Sequence, residues 1–330
     1  MFRSTEGLIV RVSINPQCYP ETLRRHPQFT AYLALAAVCL FWGTTYLGIR
    51  IADESIHPAV LMSMRYTISG SILLVTAYFS KAHLPSGREL GYTALFGVMI
   101  IGMGTGTLVF AERWMPSGLA ALFITLSPFW MIGIDAAIPG GERLHGPTIL
   151  AMLVGLGGTA LLVAPEILRE GFGGPLWRGF LLIQFGCGGW TLGSILQRRH
   201  QTTAHAVVSG AVQQLATGLA FLIPALLSRP HPSAWTGRSL GAVAYLVMFG
   251  SIVGYSSYSI ALERLPVSVV SIYNYVNPVI AVFLGWIVFR EHIGAAEIAG
   301  MLVIFCGVAL VKRYSRKQPV PKPARASAAS

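Results

Sequence analysis

Apolar residues in this chain come in runs of about twenty, separated by short polar gaps, with no alternation that would suggest strands. A helix rises about 1.5 Å per residue, so roughly twenty apolar residues cross a hydrocarbon layer about 30 Å thick. Ten runs are long enough: 31–50, 58–80, 90–111, 116–138, 146–164, 179–198, 205–228, 239–262, 266–289 and 294–312. The pattern predicts an all-α membrane protein of ten transmembrane helices. The longest gap, 166–178 with Pro165 before it (PEILREGFGGPLWR), follows the fifth run and divides the chain nearly in half. We expect a tail over 1–30, a first repeat over 31–165, a second over 179–312 and a basic tail over 313–330.

The halves match each other. Trp42, Arg50, His57 and Gly70 pair with Trp190, Arg198, His205 and Gly218 at an offset of 148. Pro116 and Pro128 pair with Pro266 and Pro278 at 150, and Glu142, Met152, Val154, Gly158 and Ala160 with Glu291, Met301, Val303, Gly307 and Ala309 at 149. Three nearly equal offsets in the correct order indicate a duplicated five-helix unit. Five is odd, so the copies enter the membrane in opposite directions, a construction typical of secondary transporters with a site where the copies meet.

Charge supplies orientation. Only 11% of residues are charged and 54% are hydrophobic, with mean hydropathy +0.62, far from the quarter or so of charged residues in soluble domains. The net charge of +11 does not imply nucleic acid, because it sits beside the spans: lysine occurs only at Lys81, Lys312, Lys317 and Lys322. With the N-terminus inside, 16 Lys and Arg fall on the inner side and 7 on the outer, and Arg65 lies within a span. Both termini are expected in the cytoplasm. The first thirty residues lack an apolar stretch long enough for a signal peptide. Cys18, Cys39, Cys187 and Cys306 have no CxxC spacing, and the eight histidines fall in or beside hydrophilic gaps without metal-ligand spacing, so neither disulfides nor metal nor cofactor is expected.

The runs FWGTTYLGIRIADESIHPAVLMSMRYTISGSILL, PSGLAALFITLSPFW, GERLHG and LPVSVVSIYNYVNPVIAVFLGWIVFREHI resemble the EamA repeats of bacterial drug/metabolite transporters, over about residues 30–312. The resemblance is nearest to the ten-helix inner-membrane exporters. It implies a ten-helix fold with both termini inside and alternating access to a central cavity. It implies no substrate, since such proteins serve amino acids, other metabolites and toxic organic compounds. The second copy departs from the first: Gln213 stands where Arg65 does, and Thr191 follows Trp190 where Gly43 follows Trp42.

Several residues are candidates to carry transport. Arg65, about seven residues into a span, is costly in lipid and reads either as a cavity cation or as a structural lock. Asp135, near the end of the fourth span, reads as a proton-coupling group, a partner for Arg65, or an interfacial residue; Glu297 reads as interfacial. Tyr273, Asn274, Tyr275 and Asn277 concentrate hydrogen-bonding groups in the ninth span, where lipid would penalise them. Pro278 and Pro128 each remove a backbone donor and are candidate hinges. Trp42, Thr44, Thr45, Tyr46 and Trp190 offer aromatic walls and small polar contacts, with Gln184, Gln213, Gln214 and Tyr255 to Tyr258 behind them. Glu142 and Glu291 are expected to pair with Arg143 and Arg290 in loops. The spans' many glycines are read as close helix contacts.

The favoured reading is a secondary carrier exporting a small metabolite or xenobiotic, with a small-molecule substrate and the bilayer as its partners. No GxxxxGK[ST] motif is present for an ATP-driven pump, and the short loops offer no cluster for a membrane enzyme. A non-transporting scaffold or sensor remains the alternative.

Overall fold

A computed structural model of the chain describes residues 29–139, 146–171, 174–200, 203–229, 231–265, 267–270, 273–291 and 294–314. The regular elements among them are all helical and, apart from a 3-10 turn at Pro232–Ala234, fall into ten segments. They are α1 (Phe29–Ala52), α2 (Pro58–Phe79), α3 (Gly87–Ala111), α4 (Ser117–Ile124 and Ser127–Ala137), α5 (Gly146–Glu170), α6 (Pro175–Arg199) and α7 (Ala206–Ala220 and Leu222–Leu227). Then follow α8 (Gly237–Tyr245, Leu246–Val253 and Gly254–Arg264), α9 (Tyr273–Phe289, preceded by the turn Val267–Val270) and α10 (Ala295–Tyr314). Seven are long and apolar enough to cross a membrane, and shorter apolar helices occupy α5, α9 and α10.

Helix takes up much of the gap expected between the halves. α5 runs on to Glu170 and ends at Gly171, whose φ of +71° suits the left-handed close of a helix; α6 begins at Pro175. Proline at the first turn costs no hydrogen bond, and PEILRE extends α5 by a polar turn and a half where a loop was expected.

Polarity is arranged for lipid. Tyr78, Phe79, Leu150, Leu153, Ile223 and Phe283 are exposed, whereas Ser63, Arg65, Ser69, Gln184, Gln213, Gln214 and Asn277 are buried. Without water, buried polar groups must bond to each other, and they do so between helices. Ser63 Oγ donates to Gly218 O at 3.0 Å, Ser69 Oγ to Gln214 Oε1 at 2.5 Å, and Thr217 Oγ1 to Gly97 O at 3.0 Å.

The repeat matches reappear as structure. The two most extensive helix contacts are α5 with α10 and α2 with α7, each joining equivalent helices of the two copies. At the second crossing a Cβ on Gly70 would lie 2.4 Å from Leu215 N, and one on Gly218 would lie 2.3 Å from Thr67 N. At the first, Gly158 and Gly307 make equally close approaches, to Ile304 N (2.7 Å) and Gly155 N (2.4 Å). His57 and His205 cap α2 and α7, each Nδ1 accepting from the backbone N–H two residues on at 3.3 Å. A π-helical turn interrupts α3 at Val98–Met103 and α8 at Leu246–Val253. Both begin at positions related by the same offset as the tryptophans.

The copies differ at the proline helices. α4 breaks after Ile124. Pro128 cannot donate, and the Ile124 carbonyl it leaves free accepts from Ser127 Oγ at 2.6 Å instead. Gln184 on α6 clamps the break from the side, its Nε2 donating to Phe123 O at 3.2 Å and its Oε1 accepting from Trp130 Nε1 at 2.9 Å. α9 instead remains helical through Pro278. The sequence predicted matching breaks; only the first copy has one at its proline among the described residues.

The bundle has two ends, named here for the residues at the two ends of α1: the Phe29 face and the Asp53 face. The first piece of α4, Ser117–Ile124, packs on α9 and α1 toward the Asp53 face, with Gly118 close against Val282. The second piece, Ser127–Ala137, turns away from both and leans on α6 and α10. Its residues Met131 to Ala136 are all partly exposed. α4 therefore meets α1 and α9 toward the Asp53 face and separates from them toward the Phe29 face, where α1 and α8 stay packed through Ala31, Leu35, Ala261 and Leu265.

Candidate substrate site

The centre of the bundle is organised around Trp42. Its ring lies 5.0 Å from Tyr258, 5.2 Å edge-on from Tyr273 and 6.4 Å edge-on from Trp190, measured between ring centroids. These neighbours come from α8, α9 and α6 of the second copy, while Trp42 belongs to the first. Tyr258 and Tyr273 are 5.8 Å apart and perpendicular, and Tyr255 lies 6.2 Å from Tyr258. Such tilted and edge-on contacts are the favoured ones between aromatic rings. All five rings are only partly buried. A ring touched by three other helices cannot face lipid, so the exposed surface of Trp42 faces an interior space.

Gly250 brings Arg65 to this aromatic wall. The Trp42 indole donates through Nε1 to Gly250 O at 3.1 Å. A Cβ at Gly250 would fall 2.8 Å from Arg65 Nη2 and 2.8 Å from Thr45 Cγ2. Arg65 is buried; its Nε donates to Ser251 Oγ at 2.8 Å, and the guanidinium stacks on Tyr66 at 4.9 Å from the ring centroid. Its Nη1 is buried with no hydrogen-bond partner. Gly250 and Ser251 sit in the π-helical turn of α8, where the wider winding displaces the backbone. A guanidinium without a carboxylate, holding an unused donor in the interior, is suited to an anionic group.

The remaining predicted residues divide into those on this wall and those behind it. Asn277 is buried, and with its amide nitrogen turned toward the carbonyls it donates to Cys39 O at 3.0 Å and to Tyr273 O at 3.1 Å. It ties α9 to α1 beneath the rings. Asn274 is half-buried one turn earlier. Gln213, standing where Arg65 does in the first copy, accepts from Tyr255 OH at 2.5 Å and donates to Gln197 Oε1 at 3.1 Å. Thr45 turns its hydroxyl back to Trp42 O at 2.7 Å, and Thr44 shares a 2.5 Å bond with Tyr245 OH. Tyr46 is buried. Asp135 is not brought to Arg65, whose polar side-chain partner is Ser251; it lies on the separated piece of α4. Glu291 is bound by Ser117, from the backbone N–H at 3.2 Å and the hydroxyl at 3.4 Å, so it caps the first piece of α4 where a pairing with Arg290 was expected. Glu142, Arg143, Ser271, Pro266 and the Glu297 side chain lie outside the described residues.

Sequence reading missed Gly250, Ser251 and the clamp formed by Gln184. The only signal was repetition: Gly102 and Gly106 match Gly250 and Gly254 at the offset of 148, inside or beside both π-turns.

Ten helices in two inverted copies, with a polar and aromatic interior where the copies meet, are the architecture of a multi-pass membrane transporter. The chain belongs to the EamA-like transporter family, whose model matches residues 29–164 and 177–313, one copy each. It is 31% identical over 280 residues to the uncharacterized inner membrane transporter YedA of Escherichia coli strain K12, covering 84% of this chain and 89% of that one. It is 22% identical to the transporter YvbV of Bacillus subtilis strain 168 (90% and 96% covered) and 24% identical to the protein PecM of Dickeya dadantii strain 3937 (87% and 94%). A solved crystal structure shares the fold at a TM-score of 0.60 and 22% identity, covering 85% of this chain and 96% of that one.

Proposed function

We propose that the chain is a secondary carrier that exports small amino-bearing metabolites, amino acids among them, across the bacterial inner membrane by alternating access. The observation that carries this reading is the partly exposed box of Trp42, Trp190, Tyr258 and Tyr273 with the buried, unpartnered donor of Arg65 beside it. Aromatic faces attract an ammonium group without a carboxylate, and a guanidinium takes a carboxylate, so a zwitterion finds a partner at each end. Alternating access is supported by the packing of α4, which is tight against α1 and α9 toward the Asp53 face and separated from them toward the Phe29 face. The excess of Lys and Arg beside the Phe29 ends of the spans, together with the inner-membrane name of the E. coli relative, supports a cytoplasmic side for that face and both termini. The site would then be loaded from inside.

The test is counterflow in proteoliposomes with a panel of amino acids, amines and lipophilic cations. Saturable flux that falls on Arg65→Ala for carboxylate-bearing compounds, but persists for simple amines, is expected. Absence of saturable flux from folded protein, or equal flux of every compound in Arg65→Ala, would refute the reading.

A further inference from the structure

Away from the aromatic box, two turns at the Asp53 face bury a pair of carboxyl groups. Asp53 follows α1 and Glu112 follows α3. Glu112 is fully buried, and neither of its carboxylate oxygens has a hydrogen-bond partner; both oxygens of Asp53 are likewise buried and unpartnered. The cations nearby do not satisfy them. Arg50 gives its guanidinium to the backbone carbonyl of Glu112, not to the carboxylate, and lies over the Phe289 ring. Arg113 is exposed. The other ionisable groups facing the pair are Glu291, already bound by Ser117, and the buried phenol of Tyr46; His57, which caps α2, faces Arg113.

An ionised carboxylate in such a place is strongly disfavoured. Burial first, then the neighbouring Asp53 and Glu291, push Glu112 well above the usual carboxylate range, with Arg50 opposing. Burial pushes Asp53 up to about 7 against the pull of Arg113 and Arg50. Arg50 of α1 joins the Glu112 turn to Phe289 of α9, and Glu291, the neighbour that pushes Glu112 up, is bound by Ser117 at the start of α4, so the carboxyls sit where these helices come together.

We propose that Asp53 and Glu112 form a proton-binding site that latches the Asp53 face: protons taken from solvent keep it closed, and their loss favours its opening. The site lies far along the bundle from Asp135 and belongs to a different step than substrate recognition. The proposal takes from the carrier reading only that this face opens, and it is tested without substrate.

The experiment uses Met115→Cys in protein whose four native cysteines are serine. Met115 is buried in the same turn as Glu112. Its rate of labelling by a membrane-impermeant maleimide is normalised at each pH to the unfolded protein, which removes the thiol's own ionisation. Normalised labelling should rise by about tenfold between about pH 5 and about pH 9, and should stay low throughout in Glu112→Gln. Asp53→Asn removes a charge that pushes Glu112 up and should shift the rise to lower pH, which keeps the test open if Glu112→Gln fails to fold. A flat profile with both carboxyls present, or an undiminished rise in both variants, would overturn the proposal. So would labelling that follows sodium against choline at fixed pH, since the ligand would then be a metal cation. Absence of transport in the counterflow assay would leave these profiles unchanged, so the two readings fail separately.

Discussion

Trp42 does two jobs with separable consequences. Its ring packs in the aromatic box and its indole nitrogen holds Gly250, so Trp42→Phe should keep much of the first while losing the second. We expect Trp42→Ala to abolish flux and Trp42→Phe to retain part of it with a raised KM, measured by counterflow. Gly250→Ala should act on Arg65, because the new methyl meets the guanidinium end, which can swing away, and the Thr45 methyl. Flux of carboxylate-bearing substrates should fall more than the melting temperature does. At Asp53 the sign with pH is definite. Its folded pKa of about 7 lies above the ordinary aspartate value, so its contribution to the closed face is whole below that ordinary value and is lost as pH rises through about 7. Melting temperature in detergent should drop over that interval, and the drop should shrink in Asp53→Asn. Much of the site was legible at this scale: Arg65, Trp42, Tyr258, Tyr273 and Asn277 stand out because lipid penalises what they carry. Glu112 was not, because a carboxylate beside Arg113 in a polar gap reads as solvated, and only the packing of another turn shows that it is buried.

At the scale of elements, a broken helix is held by a side chain from its neighbour. Gln184 bridges Phe123 O and Trp130 Nε1 across the break in α4. Gln184→Leu leaves both without their partners and should cost about 1–3 kcal/mol per stranded group, seen as earlier melting and faster hydrogen exchange in 123–130. The helix caps offer a milder case. His57→Ala and His205→Ala should each cost about 0.5–2 kcal/mol and add nearly independently, because they cap different helices. The ten spans were readable because runs of apolar length need no tertiary information. The shortened connection at 171–174, the break at Pro128 that Pro278 lacks and the two π-turns were not, since each depends on what packs alongside. Pro128 and Pro278 have the same chemistry in the sequence; Gln184 and Ser127 distinguish the first.

The whole molecule is held by contacts between equivalent helices, and these explain why the duplication could be seen at all. Gly70 and Gly218 recur because each copy's backbone must pass against the other's, with no room for a side chain. Gly70→Val or Gly218→Val overpacks this crossing and should cost at least about 1–3 kcal/mol, while Gly133→Ala, with open space around it, should be neutral or slightly stabilising. Thermal melting of the three variants side by side checks this. α4 gives the molecule two unlike faces, packed on α1 and α9 at one and separated from them at the other, and alternating access requires these to exchange. The most direct test follows labelling of two single-cysteine proteins, Met115→Cys toward the Asp53 face and Ile132→Cys on the separated piece of α4, under the same changes of pH and added substrate. The account predicts opposite responses, with every condition that exposes the first protecting the second. Labelling that rises and falls together at both positions, or that never changes at either, would contradict it.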